Sequence, residues 1–162
     1  MGKGLIAVVL IVAVIAVVAF IAYPMFFGDK NAAKKLQPEI SAFPDGWSVD
    51  KSYSTTTASG ALDGLDSYSK ERYYKGTTDQ VIVVIQVFSS VEKATANYDF
   101  VHGFYSPGTP VTKFDKCFKD SAGNYYFQSG KVTGQVLPIM GTSLTQAQID
   151  AILSSIEGKL AA

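Results

Sequence analysis

The sequence predicts an α+β fold, in which an N-terminal transmembrane helix precedes a mainly antiparallel sheet with helices packed on its faces. Residues 5–23 (LIAVVLIVAVIAVVAFIAY) carry no charge and no strongly polar side chain. Residues 80–88 (QVIVVIQVF) are almost continuously apolar and β-branched, as is typical of a central strand covered on both faces. Short connections join the strand-like segments after residue 43, which favours antiparallel pairing.

The apolar segment is long enough to cross a bilayer, because residues 5–23 form a helix of about 28 Å. A cleaved secretory signal has a shorter apolar core, of roughly 7–15 residues, and small residues at its cleavage site. Here the bulky run YPMFF overlaps the end of the segment, and the only cysteine, Cys117, lies too far away for a lipoprotein signal. Myristoylation needs Ser or Thr where Ile6 stands. We therefore expect a short leader at residues 1–4 and a retained transmembrane helix at residues 5–27, in contact with the lipid bilayer.

A second interpretation of the N-terminus stays open. Lys3-Gly4-Leu5-Ile6, followed by an apolar helix, resembles the class III signal of archaeal pilins and archaellins. Such precursors are cut after the Gly, and the exposed helix then packs into a filament core. The resemblance implies a pilin-like filament subunit processed after Gly4, whereas the first interpretation takes Lys3 as a positively charged flank on the cytoplasmic side.

The charges that flank the predicted transmembrane helix are not sufficient to determine its orientation. Lys3 precedes the helix and Lys30, Lys34 and Lys35 follow it, so a positive-inside count places the domain in the cytoplasm. Long domains, however, translocate largely regardless of charge. The domain is rich in Tyr, Ser, Thr and Gly and has one arginine, Arg72, which favours a cell-membrane protein with its C-terminal domain outside the cytoplasm. In the alternative orientation, the lysines contact anionic lipid on the cytoplasmic side.

One domain of ordinary size, residues 43–162, follows a juxtamembrane stem at residues 28–42. Beyond residue 35 the chain keeps ten of its 14 basic residues and 13 of its 14 acidic residues, which is a net charge of −3. A mildly acidic domain without a basic patch lacks the electrostatic footprint of a nucleic-acid-binding protein. A single cysteine also excludes an intrachain disulfide framework.

The first half of the domain contains three predicted strands. Pro44-Asp45-Gly46 marks the entry turn. Residues 47–53 alternate as the first strand, and a Ser/Thr-rich loop and a turn at residues 54–67 separate it from the second strand, residues 69–75. The third strand is the continuously apolar run at residues 80–88.

A helix follows the third strand and leads to three more strands. Ser89 and Glu92 form a capping box, and apolar residues at helical spacing continue to Gly103, which closes the helix. The next strands, of which the first two form a hairpin, are predicted at residues 111–119, 125–129 and 131–139.

The chain ends in a second amphipathic helix. Thr145 and Gln148 form its capping box. A stripe of large aliphatic side chains at helical spacing predicts that one face of this helix packs on the sheet. The stripe consists of Ile149, Ile152, Leu153, Ile156 and Leu160.

Residues with catalytic or metal-ligating chemistry are few. His102 stands alone near a predicted helix end, where it interacts favourably with the helix dipole, and no GxSxG-type elbow is present. Cys117 fits a half-buried strand position, and one His and one Cys do not supply a metal site. The turn-like segments 63–66 and 120–124 lack the acidic ladder of a calcium loop. We expect no enzyme activity, no cofactor and no metal site.

The tyrosines favour a binding surface on the sheet. Aromatic residues on one face of a sheet can bind a partner. Tyrosine also has a high strand propensity and packs half-buried on many sheets, which is the structural alternative. The candidate surface consists of Tyr68, Tyr73, Tyr74, Tyr125 and Tyr126.

Four features of the domain occur in a characteristic order. They are the entry FPxGW at residues 43–47, the apolar strand ending in FSS at 88–90, the helix with Ala94 and Tyr98, and the terminal helix with AILSSI. This order, which covers most of residues 43–160, is similar to the PsbP/Mog1-like α/β/α sandwich domains, including those on exported bacterial and archaeal proteins. The resemblance implies helices on both faces of a central antiparallel sheet, and mostly non-enzymatic binding or assembly roles.

Together these features predict a single-pass, membrane-anchored extracytoplasmic binding or assembly module of a prokaryote, for instance an accessory subunit of a membrane complex. Its expected partner is a protein in or at the membrane. The pilin-like filament subunit is the alternative, and the two differ in whether the N-terminus is processed.

Mass spectrometry of the mature chain distinguishes the two interpretations. A retained anchor predicts an intact start at Met1 or Gly2, because no peptidase removes the leader. A chain that begins at Leu5 would contradict the retained leader and support the filament subunit.

Overall fold

Seven strands form one antiparallel sheet in the computed structural model, which describes residues 29–139 and 142–162. Their order across the sheet is β1-β2-β3-β7-β6-β5-β4, and every neighbouring pair is antiparallel. The strands are β1 (Ser48–Val49), β2 (Leu65–Lys75), β3 (Asp79–Phe88), β4 (Thr109–Pro110), β5 (Lys116–Lys119), β6 (Tyr125–Ser129) and β7 (Val132–Pro138). The helices are α1 (Ala32–Lys35), a 3₁₀ turn (Ile40–Ala42), α2 (Val91–Tyr105) and α3 (Gln146–Leu160).

The N-terminal predictions lie outside the described residues. These are the leader at residues 1–4, the transmembrane helix at 5–27 and the processing site after Gly4. Within residues 29–139 and 142–162, no helix combines the length and the apolar content that a bilayer crossing requires.

Helix α3 covers one face of the sheet, which we call the α3 face. Its predicted capping box is confirmed: the Gln148 N–H donates to the Thr145 hydroxyl at 3.4 Å, and the Gln148 side chain accepts from the Thr145 N–H at 2.8 Å. The aliphatic stripe of α3 is buried against the sheet, with Leu160 packed at its edge. The sheet residues of this core include Tyr73, Val81, Val83, Ile85, Phe127 and Val136.

Helix α2 lies on the opposite face, the α2 face, so the sheet carries helices on both sides. Tyr98 of α2 packs edge-on against Phe118 at 5.8 Å between ring centroids, and Phe118 stacks on Tyr126 at 4.9 Å. The N-cap of α2 is Ser90, whose hydroxyl accepts from the Lys93 N–H at 3.3 Å. The predicted cap, Ser89, instead donates its N–H to the Gly64 carbonyl at 2.8 Å, and the helix begins one residue later than predicted.

Residues 29–42, which belong to the predicted stem, are packed on the sheet. Ala33 in α1 has no exposed surface, and its N–H donates to the Ser67 hydroxyl at 3.1 Å. The Gln37 side-chain amide donates to the Ser69 hydroxyl at 3.1 Å and to the Val83 carbonyl at 3.3 Å. The packed region therefore extends back through the residues before 43.

Two predicted strands are shorter than expected, and local turns explain both. The strand at 47–53 ends at Val49, because the carboxylate of Asp50 accepts from the Ser52 N–H at 2.9 Å and turns the chain. The strand at 111–119 begins at Lys116, because Phe114 adopts a positive φ of 59° that no strand residue has.

Gly134 in β7 permits a close approach between two parts of the core. It pairs with Phe127 and with Ile85, and the Phe127 ring lies across its Cα. A Cβ at this position would penetrate that ring and stand 2.9 Å from the Val84 carbonyl oxygen, so only glycine fits without a shift.

Replacing this glycine tests the packing. We expect Gly134→Ala to lower the free energy of unfolding by about 1–3 kcal/mol, because the core must shift to admit the methyl group. Gly158→Ala is the matched control: that glycine lies in α3 with open space around it, so the same change should add up to about 1 kcal/mol. Urea unfolding followed by Trp47 fluorescence measures both, and equal midpoints for the two variants would contradict the packing described here.

Candidate binding surface

The α2 face of the sheet is only partly covered. Helix α2 packs over β5, β6 and β7, whereas β2, β3 and the near side of β7 border an open groove of about 300 Å³. We call it the sheet groove, and a loop that contains Leu62 forms its rim. Its floor is built mainly from Tyr68, Lys70, Ile82, Val84, Gln135 and Leu137.

Strand register explains which side chains meet in the sheet groove. Lys70 pairs with Val84, and Val84 pairs with Gln135, so these three form one row across the sheet. Ile82 and Leu137 pair in the neighbouring row. Because alternate residues of a strand point to one face, the register places an ammonium and a carboxamide beside an aliphatic floor.

Three half-buried polar side chains in the sheet groove make no hydrogen bond to the described part of the chain. They are the hydroxyl of Tyr68, the ammonium of Lys70 and the carboxamide of Gln135, and all three residues are half-buried. Burial raises the pKa of Tyr68, so its hydroxyl stays protonated and able to donate. None of these polar atoms is fully buried, so each can exchange a hydrogen bond to water for one to a ligand.

The position of Lys70 is fixed by its neighbours. Its ammonium lies 4.6 Å from the ring centre of Tyr53, and the Arg72 guanidinium lies 4.5 Å from the same ring. Arg72 is neutralised by an ion pair with Asp50, and hydrogen bonds from Ser52 and Arg72 lower the pKa of Asp50 to about 2. Lys70 takes part in none of the ion pairs of the described residues.

A second depression adjoins the sheet groove across Leu62. This helix hollow, of about 250 Å³, is lined by Leu62, Phe88, Ala96 and Phe100, and an ion pair between Lys93 and Asp63 lies at its rim. Phe100 is 66% exposed, and its ring lies 4.9 Å from that of Phe104, which is 72% exposed. An exposed pair of phenylalanines on one helix is unusual for a surface with no partner.

The five candidate tyrosines do not share one surface. Tyr68 lines the sheet groove, and Tyr74, 37% exposed, lies on the same face of β2. Tyr73 and Tyr125, at 1% and 2%, are buried on the α3 face, and Tyr126, at 3%, is buried beneath α2. Neighbouring tyrosines in a strand must point to opposite faces, so period-two alternation alone separates Tyr73 from Tyr74 and Tyr125 from Tyr126.

The groove residues that sequence reasoning missed are Lys70, Gln135 and Leu62. Strand alternation could have placed Lys70 and Tyr68 on one face. No local pattern indicates that the loop with Leu62 crosses beside them, or that α2 leaves this half of the sheet uncovered.

The other candidate residues are not brought together. His102 lies on the exposed side of α2, with its ring 4.7 Å from that of Phe118. Cys117 is buried on the α3 face. The Asp120 carboxylate accepts from the N–H groups of Ala122 and Asn124, each at 2.9 Å, so it closes a turn. In the described ranges no group of three or more His, Cys, Asp or Glu side chains is placed to hold a metal ion.

No family model and no curated protein matches this chain. The geometry of the α2 face therefore carries the functional argument. An ammonium, a phenol and a carboxamide above an aliphatic floor suit non-covalent recognition of a group that is part apolar and part negatively charged.

The environment of Cys117 predicts an unreactive thiol. Burial, and then the charge of Glu157, raise the pKa of Cys117 to about 12, so almost no thiolate is present at pH 8. We expect iodoacetamide to modify the native chain at pH 8 far more slowly than the chain unfolded in guanidinium. In the control, Cys117→Ala/Ser121→Cys, the thiol lies in an exposed turn and should react as fast folded as unfolded. Rapid stoichiometric alkylation of the native chain would show that the thiol is accessible.

Proposed function

We propose that this chain is a single-pass, membrane-anchored extracytoplasmic binding or assembly module, an accessory subunit of a membrane complex, which binds a protein partner through the sheet groove. One observation carries the proposal: part of a sheet face is left without a helix and presents three half-buried polar groups that have no hydrogen-bond partner among the described residues.

The aliphatic floor supports a partner that covers it. Sheets normally bury their apolar faces against another layer. Ile82 and Leu137 are half-buried because only a loop borders them, and a bound chain would remove their remaining surface from water.

The open shape of the groove favours a protein over a small molecule. Sites for small ligands are concave and typically enclose about 70–90% of the ligand surface. The sheet groove opens to solvent along its length and continues past Leu62 towards the helix hollow. Such a surface suits an extended segment of a larger partner.

The proposed anchor would keep the groove near the bilayer. Ala33 is already packed on the sheet, and it lies six Cα–Cα steps from the end of the proposed transmembrane helix at Phe27. Six such steps span at most about 22 Å. The domain is then confined to the membrane surface, so its partner would be a protein in or at the membrane.

We retain the PsbP/Mog1-like sandwich as our proposal for the fold family. It is supported by the central antiparallel sheet with α2 on one face and α3 on the other.

Site-specific photocrosslinking in membranes of the source organism tests the proposal. A photoreactive phenylalanine analogue in place of Tyr68 should give one discrete adduct in the membrane fraction, and the same analogue in place of Ser121, in the turn between β5 and β6, should not. Ser59→Trp narrows the groove from its rim and should abolish the adduct, whereas Ser121→Trp should leave it unchanged.

Two results would contradict the proposal. Equal crosslinking from positions 68 and 121 would mean that the groove has no preferred partner. An adduct at position 68 that survives Ser59→Trp would mean that the partner does not enter the groove.

A further inference from the structure

We infer that the segment bound in the sheet groove is acidic: a carboxylate of the partner pairs with Lys70, and a neighbouring apolar side chain enters the helix hollow. This inference rests on the proposed function and adds the chemistry of the ligand to it.

The charge of the groove is uncompensated. None of the side chains that line it is acidic, and Lys70 is absent from all six ion pairs of the described residues. Among the half-buried lysines of the described residues, Lys70 alone has neither a carboxylate in an ion pair nor a hydrogen-bond acceptor for its ammonium. A partly desolvated ammonium gains more from an opposite charge than an exposed one does.

Neighbouring donors complete a site for a carboxylate. The Tyr68 hydroxyl and the Gln135 carboxamide can each donate a hydrogen bond, and both line the groove with Lys70. A carboxylate accepts several hydrogen bonds, and bonds to charged groups are the stronger ones. Lys70 carries the one charge among the described residues that line the groove, so an Asp or Glu side chain pairs with it, whereas a Lys or Arg side chain would be repelled.

The helix hollow supplies the second contact. Leu62 forms the wall that the hollow and the sheet groove share, and Phe88, Ala96 and Phe100 make the hollow apolar. The Lys93–Asp63 ion pair at its rim is already neutral. In an extended segment, side chains two positions apart point the same way and lie about 7 Å apart, which allows one residue in each depression.

Peptide binding to the full-length chain in lipid nanodiscs tests this inference. The probe is a short serine-rich peptide with Glu and Leu two positions apart, and its matched control carries Gln in place of Glu. We expect the Glu peptide to bind the unmodified chain about tenfold more tightly than the Gln peptide does, because only the carboxylate pairs with Lys70.

Variants of the protein test whether the preference for the Glu peptide depends on Lys70. Lys70→Gln should lower the affinity for the Glu peptide about tenfold and leave the affinity for the Gln peptide unchanged. Lys70→Arg keeps the charge, so its affinity for the Glu peptide should be close to that of the unmodified chain. Lys131→Gln is the control, because it removes the same charge from an exposed turn outside the groove. Unchanged circular dichroism and melting temperature should accompany each variant.

The outcomes separate the two proposals. Three results would overturn the acidic segment: equal affinity for the Glu and Gln peptides, no binding of either peptide at millimolar concentration, or no effect of Lys70→Gln. The groove remains the proposed binding site in these cases if the photoreactive analogue at position 68 still gives its adduct. Peptide binding that survives Ser59→Trp, together with crosslinking that survives it, overturns the groove itself as the binding site.

Discussion

Strand β3 imposes the constraint on which the rest of the structure depends, because it is apolar on both faces. Val81, Val83 and Ile85 point to the α3 face and have no exposed surface. Val84 and Phe88 point the other way and are also buried. A strand of this kind cannot leave either face in water without a large loss of hydrophobic free energy, so two covering layers are required. Helix α3 with the packed N-terminal segment supplies the first layer, and helix α2 with the Leu62 loop supplies the second.

The second layer does not cover all of the α2 face, because aromatic contacts hold α2 over one side of the sheet. Helix α2 is held towards the β5–β6 side by Tyr98, which packs on Phe118, and by Thr95, whose hydroxyl accepts from the Gln128 side chain at 2.8 Å. These contacts place the helix away from β2, so in the described part of the chain Ile82 is bordered only by the loop that contains Leu62. The groove is thus a consequence of where the aromatic cluster sits, and the cluster itself is ordinary core packing.

Local chemistry made much of the fold predictable from the sequence, and long-range contacts account for what it missed. The capping box at Thr145 and the strand at residues 125–129 depend on nearby residues, and both are found as predicted. The cap of α2 is Ser90 and not the predicted Ser89, whose N–H donates to the carbonyl of Gly64, a residue distant in sequence. The packing of residues 29–42 was missed because it depends on hydroxyls in β2, whose partners no local pattern identifies.

The candidate site was less predictable than the fold because it depends on the absence of a covering helix and of a carboxylate partner near Lys70 among the described residues. In the sequence, Lys70 is one lysine in a polar half-strand, and alternation places it on a face without saying what covers that face. Three long-range features make Lys70 a candidate site residue. Strand register places it beside Val84, Arg72 forms an ion pair with the nearby Asp50, and α2 packs on Phe118 and Tyr126 instead of covering Lys70. An exposed lysine in water would gain little from a partner's carboxylate. A half-buried lysine with an aliphatic floor on one side and no carboxylate in its groove gains more, and this difference would make the groove selective for an acidic segment.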